Sequence, residues 1–445
     1  MKLAILGGGG FRVPLVHRAL VRDGGEPRVQ TISLYDPSPE RLAVIENVLA
    51  QQAAGYSDPP KVETTTSLDV ALDGSDFVFS AIRVGGLEGR TQDERVALRL
   101  GVLGQETTGP GGLAYGLRTI PVALHIAERV RALAPRAYVI NFTNPAGMIT
   151  EAMQRVLGDR VIGICDTPSG MGRRIAAALG LDASRVQFDY VGLNHLGWMR
   201  RIIHNGQDVL PSLLADDKLL SSLEEGAIFG LPWLRSLGCI PNEYLYYYYF
   251  NRDAVRAILE QKETRGEFLV RQQGDFYAAA ADDPEHAFGI WHRTVAERTA
   301  LYMAEAKGDF VADEEDEEVS GGYEGVALGV MAAIARNERA TMILNVRGGG
   351  ALPGLDPTAV VELPSTVDAN GVHPLATAPP HLHQAGLIDQ VKAVERLIIE
   401  AATTGSADVA ERAFALHPLV DSVSVARDLV RGYTQAIPEI AAILS

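Results

Sequence analysis

Two residues of types that can bind transition metals follow short apolar segments of the sequence. Cys165 stands in GICDTP and His195 stands in GLNHLGW, each at the end of a predicted strand. Ligands of open α/β sheets collect beyond the carboxyl ends of the strands, so a thiolate and an imidazole there could share a divalent metal. Taken alone, a cysteine at the end of a strand is usually a buried core residue, and a single histidine is usually only hydrogen-bonded. His381 and His383 in HLH are a rival pair, although their Pro-rich flank indicates a loop.

A run of glycines follows the first apolar segment. LAILGGGGFRVPLV predicts a strand, a tight turn and a helix that begins near Val13. Glycines let a backbone approach a pyrophosphate, and the helix N-terminus offers N–H groups and a positive dipole end. The spacing G-x-G-x-x-G would require glycine where Arg12 stands, so a purely structural turn remains an alternative. The glycines of this candidate cofactor site are Gly7, Gly8, Gly9 and Gly10.

An acidic residue at the end of the second predicted strand supports a dinucleotide site. TISLYD ends in Asp36, where a carboxylate would bond a ribose hydroxyl and repel a 2′-phosphate. We therefore predict NAD rather than NADP as cofactor. Behind the glycines, we expect Arg12 to pair with a phosphate and Phe11 to pack beside the cofactor.

The first 200 residues alternate strand-like and helix-like segments. This alternation predicts a Rossmann-like, doubly wound parallel sheet of the α/β class. After about Met199 the strand rhythm fades, and long helical segments predict a mainly helical α+β C-terminal domain. We expect domains over 1–200 and 201–445. The predicted strands are Leu3–Leu6, Thr31–Tyr35, Lys61–Thr66, Phe77–Ile82, Ala137–Phe142 and Val161–Cys165.

Composition and charge exclude several classes of function. The 445 residues carry a net charge of −16 with no basic stripe, which argues against nucleic acid as a partner. The sequence has no apolar stretch long enough for a membrane span and no basic leader, so we expect a cytoplasmic protein without a membrane partner. Two cysteines, Cys165 and Cys239, exclude a disulfide framework.

Eight motifs occur in an order that resembles a known family. Together they resemble the NAD- and metal-dependent glycosidases of glycoside hydrolase family 4, and in particular their 6-phospho-β-glucosidase branch. The resemblance covers most of the chain and extends to the C-terminal segments NGVHPL and HPLV. The eight motifs are ILGGGG, RVGGLEGRTQDE, GVLGQETTGPGG, INFTNPAGMIT, GICDTP, GLNHLGW, PNEYLYYYY and KETRGE.

This resemblance implies hydrolysis through a redox-assisted elimination. A tightly bound NAD⁺ would accept a hydride from C3 of the sugar, which acidifies the C2 proton. A base would remove that proton, the aglycone would leave from C1, water would add, and the hydride would return. A divalent metal, expected to be Mn²⁺, would polarise the C2 and C3 oxygens.

The resemblance also implies roles for individual residues. Cys165 and His195 match the family's metal ligands, and Tyr244 matches the base that takes the C2 proton. A tyrosine with its ordinary pKa near 10 would need a nearby cation to act as a base at neutral pH. Arg83 follows the fourth predicted strand and is expected near cofactor or substrate. The residues expected to contact the sugar and its 6-phosphate are Arg95, Asn144, Arg265, Glu106 and Asn194.

One residue departs from the pattern of the β-specific branch. Asp166 follows the ligand cysteine, where α-specific members carry the acid that protonates the leaving group and β-specific members usually carry Asn. Buried, such a carboxylate could act as general acid. We expect a 6-phospho-β-glucosidase, because QETTGPGG and the Tyr-rich segment match that branch, with a 6-phospho-α-glucosidase as the alternative.

Two further classes of protein remain open. One is a lactate/malate-type dehydrogenase, in which His195 would accept a proton, no metal would be needed, and NADH would accumulate. The other is a protein that binds NAD or sugar without turnover. The family resemblance instead implies a phosphorylated disaccharide or aryl glycoside as substrate, and a homodimer or homotetramer.

Overall fold

Thirteen strands form one mixed sheet in the computed structural model, which describes residues 1–300 and 322–444. Their spatial order is β10-β8-β7-β12-β11-β6-β5-β4-β1-β2-β3, while β13 pairs with β12 and β9 with β8. The strands are β1 Lys2–Leu6, β2 Thr31–Tyr35, β3 Lys61–Thr65, β4 Phe77–Ser80, β5 Tyr138–Asn141, β6 Val161–Gly163, β7 Val186–Leu193, β8 Leu196–His204, β9 Gln207–Asp208, β10 Ile240–Pro241, β11 Ala340–Arg347, β12 Val360–Asp368 and β13 Gly371–Pro374.

Strands β1 to β6 are parallel and lie in the order 3-2-1-4-5-6. That order is typical of a doubly wound dinucleotide-binding sheet, which confirms the predicted fold class. All six predicted strands are present, with ends that differ by at most two residues. The carboxyl ends of the parallel strands therefore share one edge, and the candidate residues Gly7, Asp36, Asn144 and Cys165 follow four of these ends.

The second half of the chain contributes strands as well as helices. Strand β11 pairs antiparallel with both β6 and β12, and β12 contacts β7, so the sheet continues past its parallel part. The sequence rhythm did not predict β11 and β12, because antiparallel strands need no crossover helix between them. Residue 200 lies inside β8, and the division into domains 1–200 and 201–445 stays a proposal.

Helices surround the sheet on both faces. Several begin with a side-chain cap, as at Ser38, Ser67 and Ser406, and Thr264 forms a capping box with Glu267. The helices are Val13–Arg22, Pro39–Ala53, Leu68–Leu72, Gly86–Arg99, Pro110–Leu133, Ala146–Leu157, Thr167–Ala178, Leu210–Ala215, Asp217–Ser222, Glu224–Phe229, Leu231–Leu237, Tyr246–Tyr249, Asn251–Glu260, Arg265–Asp282, Ala287–Ala300, Gly322–Arg336, Leu382–Thr404, Ala407–Leu416, Val423–Ala436 and Pro438–Ile443.

The side chains of β1 alternate between the two faces of the sheet, and each face is covered by a hydrophobic core. Leu3 and Ile5 face one side of the sheet, where they join a cluster with helices Arg265–Asp282 and Gly322–Arg336. Ala4 and Leu6 face the other side. Both faces of a parallel sheet are buried in this way. Helices from the second half of the chain thus lie against the first strands. Among the described residues, no helix is long and apolar enough to cross a bilayer.

Candidate active site

The glycine turn joins β1 to the first helix in a shape that requires glycine. Gly7 has a φ of +86°, and a Cβ on Gly8 would lie 2.7–2.9 Å from Leu34 and Tyr35. The Gly9 N–H donates to Oδ2 of Asp36 at 3.1 Å. The helix that follows begins without a side-chain cap, and its Val13 N–H donates to the Gly10 carbonyl of the turn at 3.1 Å. These features fit the pyrophosphate and ribose of a dinucleotide.

Phe11 and Arg12 pack against helices from the second half of the chain. Phe11 is 4% exposed, and its ring meets Phe276 at a centroid distance of 5.1 Å. The Arg12 guanidinium lies 5.3 Å from the centre of the Tyr323 ring. Phe11 therefore anchors the turn, and its proximity to a cofactor stays a prediction, as does the pairing of Arg12 with a phosphate.

Cys165 lies directly beyond β6 and is buried. Burial, with the negative charges of Glu362 and Asp166, raises the pKa of its thiol well above the ordinary value. Asp166 is the residue that precedes helix Thr167–Ala178. A thiol surrounded by carboxylates becomes a thiolate only when a cation offsets their charge, which is what a bound metal ion supplies.

His195 lies in the two-residue turn between β7 and β8. Its φ of 62° is in the left-handed region, which non-glycine residues rarely adopt and which is found at functional sites. Nδ1 lies 3.1 Å from the Thr107 hydroxyl, which itself donates to Gln105. Burial lowers the pKa of the imidazole to about 3, although Glu106 opposes this shift. His195 is thus neutral, and because Nδ1 faces the Thr107 hydroxyl, Nε2 is the ring nitrogen that could bind a metal.

Tyr244 stacks face to face on His195. The ring centroids are 3.7 Å apart, and the planes differ by 6°. The Tyr244 N–H donates to Asn242 Oδ1, which fixes the short helical turn Glu243–Leu245. The structure therefore brings the predicted base directly against a predicted metal ligand, although the two residues are 49 positions apart in the chain.

Glu362 on β12 is a buried carboxylate that sequence reasoning missed. It accepts hydrogen bonds from Asn345 at 2.8 Å and Tyr190 at 3.0 Å, with Asn194 at 3.4 Å. Burial raises its pKa to about 7 despite these donors. Its charge raises the pKa of Cys165, and its partner Asn194 directly precedes His195, so this carboxylate lies near Cys165 and beside the residue next to His195. Nothing in the segment VVELPS points to such a role.

Glu106 is surrounded by arginines. Its carboxylate oxygens lie 2.7 Å from Arg83 and 2.7 Å from Arg90. Burial would raise its pKa, but Arg83 and Arg90 lower it to about 2. Arg298 is close to the same carboxylate, and sequence reasoning missed both Arg90 and Arg298.

Arg298 lies in a region where positive side chains outnumber negative ones. Burial lowers its pKa well below the ordinary value, and Arg12, Arg265 and Arg90 lower it further. Arg265 also donates from Nη2 to the backbone carbonyl of Arg298 at 2.9 Å. Arginines with like charge assemble in this manner where an anion offsets their repulsion. The arginine cluster, defined as Arg12, Arg83, Arg90, Arg265 and Arg298, therefore fits phosphate groups.

The remaining candidate residues, Arg95, Asn144 and His383, differ in the partners that the structure gives them. Arg95 forms a paired ion contact with Glu267, with its Nε 2.7 Å from Oε1, so its assignment to the phosphate stays a prediction. Asn144 Oδ1 is buried and finds no hydrogen-bond partner among the described residues, as expected of a group that awaits a ligand. His383 meets Trp198 edge-on at the start of helix Leu382–Thr404.

Few side chains of the site could bind a metal ion. Within residues 1–300 and 322–444, no group of three or more His, Cys, Asp or Glu side chains could hold a metal. Cys165 and His195 would therefore supply two ligands, a thiolate and an imidazole, of types that bind transition metals such as zinc. The remaining positions would belong to substrate oxygens or water, which is the open geometry of a catalytic metal site.

Comparison with known proteins identifies what the chain is similar to. Residues 2–181 match the model of the family 4 glycosyl hydrolases, and residues 190–420 match the C-terminal domain of that family. A probable 6-phospho-beta-glucosidase of Bacillus subtilis is 30% identical, covering 97% of this chain and 95% of its own. The 6-phospho-alpha-glucosidase 1 of Lacticaseibacillus paracasei is 31% identical, covering 96% and 95%.

A solved structure agrees over nearly the whole chain. The 6-phospho-beta glucosidase from Thermotoga maritima, with manganese, NAD⁺ and glucose-6-phosphate, has a TM-score of 0.83 at 26% identity. The match covers 99% of both chains. Relatives of this chain thus include proteins named for either anomer.

Proposed function

The chain belongs to family 4 of the glycosyl hydrolases, and from this premise we propose that it hydrolyses 6-phospho-β-glucosides with bound NAD and a divalent metal ion. The observation that carries the proposal is the position of the arginine cluster. Glu106 links Arg83 and Arg90 to the loop whose Thr107 bonds His195, and His195 stacks on Tyr244. Groups suited to a phosphate therefore lie beside groups suited to chemistry on the sugar.

The substrate phosphate would be bound by the arginine cluster. The Arg265 guanidinium donates to the backbone carbonyl of Arg298 at 2.9 Å, which holds the Arg265 side chain beside Arg298. Guanidinium groups bind phosphate oxygens through paired, charge-assisted hydrogen bonds. A dianionic phosphate would also relieve the repulsion that lowers the pKa of Arg298. Asn144, with its unpaired Oδ1, would accept from a sugar hydroxyl, as would Glu106.

When bound, NAD⁺ would accept and return a hydride at C3, and the metal would act as a Lewis acid on the sugar oxygens. Cys165 and His195 would hold the metal, with Thr107 fixing the His195 ring through Nδ1. Tyr244 would remove the C2 proton. A cation beside His195 would lower the pKa of the phenol, as a base at neutral pH requires.

Asp166 bears on the preference for one anomer. Its carboxylate lies close to Cys165 and to Arg173, whose pKa it raises against the lowering effect of burial. We propose Asp166 as the group that protonates the leaving oxygen, whichever anomer is cleaved. The preference for the β anomer is supported by the QETTGPGG segment and by the Tyr-rich segment that carries Tyr244.

The test is cleavage of p-nitrophenyl 6-phospho-β-glucoside and its α anomer, with NAD⁺ and Mn²⁺ supplied. The proposal expects release of p-nitrophenol from the β anomer, lost when NAD⁺ is omitted or a chelator is added. Cleavage of the α anomer alone would reverse the anomeric preference and keep the family chemistry. Cleavage of neither, with NADH accumulating from 2-hydroxy acids, would instead indicate a dehydrogenase of the lactate/malate type.

A further inference from the structure

Three backbone carbonyls of the glycine turn accept hydrogen bonds from aromatic side chains. The Tyr277 hydroxyl donates to the Gly9 carbonyl at 2.6 Å, and the Trp291 indole N–H donates to the Phe11 carbonyl at 2.8 Å. The Tyr323 hydroxyl donates to the Arg12 carbonyl at 2.9 Å. The donors lie on three different helices, Arg265–Asp282, Ala287–Ala300 and Gly322–Arg336, all from the second half of the chain.

Packing holds each donor in place. Trp291 and Tyr323 are nearly inaccessible to solvent, at 2% and 3% exposure. Tyr323 stacks on Phe142 with ring centroids 4.2 Å apart, and the Arg41 guanidinium lies 4.8 Å from the centre of the Tyr277 ring. Burial raises the pKa of both tyrosines, so their hydroxyls stay protonated and donate. These hydrogen bonds therefore constrain the backbone of the turn.

Peptide planarity transmits that constraint to the cofactor side. In a trans peptide the carbonyl of one residue and the N–H of the next point in opposite directions. Fixing the Phe11 carbonyl toward the helices of the second half therefore turns the N–H group of Arg12 away from those helices. The next N–H group, that of Val13, donates to the Gly10 carbonyl at 3.1 Å, so fixing the Arg12 carbonyl holds this hydrogen bond within the turn. The first N–H groups of a helix are those that bind a pyrophosphate.

We infer that Tyr277, Trp291 and Tyr323 are positioning residues for the dinucleotide: they hold the turn in its binding shape, so that affinity for NAD⁺ depends on helices of the second half of the chain. This inference rests on the proposed function, which supplies NAD⁺ as the ligand. It assigns no contact between these three side chains and the cofactor.

The experiment measures NAD⁺ affinity by titration calorimetry on the full-length chain, without metal or substrate. Tyr277→Phe and Tyr323→Phe keep the ring contacts and remove only the donor, and Trp291→Phe removes the third. Tyr433→Phe is the matched control, because this buried hydroxyl donates to the Asp93 carbonyl at 2.9 Å, which lies outside the turn. Thermal unfolding of each variant, with and without NAD⁺, reports general stability and its change on binding.

Tyr277→Phe and Tyr323→Phe are each expected to raise the Kd for NAD⁺ about 3- to 10-fold. In the double variant, the increase is expected to be close to the product of the two single increases. Tyr433→Phe is expected to lose similar stability in the free state and to keep the wild-type Kd. Variants at 277 and 323 that bind NAD⁺ as well as Tyr433→Phe would overturn this inference alone. A wild-type chain that does not bind NAD⁺ would overturn the proposed function with it.

Discussion

The imidazole of His195 and the phenol of Tyr244 lie parallel, 3.7 Å apart between ring centroids. One ring stands in a hairpin turn with a left-handed backbone, and the other stands in a short helical turn fixed by Asn242. This stack places the proposed base beside a proposed metal ligand. A cation held by His195 would therefore act on the Tyr244 hydroxyl at short range.

Tyr244→Phe tests the role of the Tyr244 hydroxyl independently of the ring stack. Phenylalanine keeps the ring against His195 and removes the group proposed to take the C2 proton. We expect turnover of the phosphorylated glucoside to fall at least about 100-fold, as for loss of a general base, with Mn²⁺ affinity within about 3-fold. Calorimetry and steady-state kinetics measure the two effects. Turnover within about 3-fold of wild type would exclude Tyr244 as the base.

Cys165→Ser tests the metal site, and Cys239→Ser is its control. Both cysteines are buried, but Cys239 contacts Gln384 rather than the carboxylates at the sheet edge. We expect Cys165→Ser to weaken Mn²⁺ binding about 100-fold, because a thiolate ligand is lost, and to leave NAD⁺ affinity unchanged. Cys239→Ser is expected to keep both affinities. Equal Mn²⁺ affinity in the two variants would contradict the metal assignment.

Arg298→Gln tests recognition of the phosphate. Because Arg298 lies among other arginines, its loss is expected to raise the KM for the 6-phosphoglucoside about 10- to 100-fold. Hydrolysis of the unphosphorylated glucoside, if measurable, is expected to change little. Arg95→Gln is the comparison, since Arg95 is paired with Glu267 and is expected to have the smaller effect. Losses that are equal for both substrates would place the phosphate elsewhere.

Glu106→Gln tests the charge balance of the arginine cluster. The folded pKa of about 2 lies below the ordinary 4.5, so the carboxylate stabilises the fold above pH 4.5. That stability is lost as the pH falls from 4.5 toward 2. At pH 7 the variant is expected to be less stable by about 3 kcal/mol, because buried Arg83 loses its carboxylate partner and Arg90 keeps only its pairing with Glu94.

Urea unfolding at pH 7, 4.5 and 3 measures this effect. The difference between wild type and Glu106→Gln is expected to shrink as the pH falls. Glu263→Gln removes an exposed partner of Arg271 and is expected to change stability by less than about 1 kcal/mol at every pH. A constant difference between wild type and Glu106→Gln would contradict the lowered pKa.

Local sequence patterns predicted the parallel half of the sheet and the glycine turn. These features depend on short-range chemistry: apolar alternation, glycine at a close approach, and an acid at a strand end. Cys165 and His195 could be proposed for the same reason, since each follows a strand. The role of Tyr244 came from family resemblance, because five tyrosines in six positions otherwise predict only packing.

Contacts over long sequence separations could not be predicted in this way. Arg90 and Arg95 stand on one helix about 140° apart, and its sequence alone did not show which of them faces Glu106. Glu362 and Arg298 lie far along the chain from the residues they influence. Their roles depend on how helices and antiparallel strands of the second half dock on the first.

The central claim is that the glycosidic bond is cleaved by elimination after loss of the C2 proton. The most direct measurement is hydrolysis of the 6-phosphoglucoside in D₂O with NAD⁺ and Mn²⁺, followed by NMR of the sugar phosphate released. The account predicts deuterium at C2 of the product and no net NADH. Glucose 6-phosphate incubated alone with the protein controls for later exchange. Cleavage that leaves hydrogen at C2 would contradict the account.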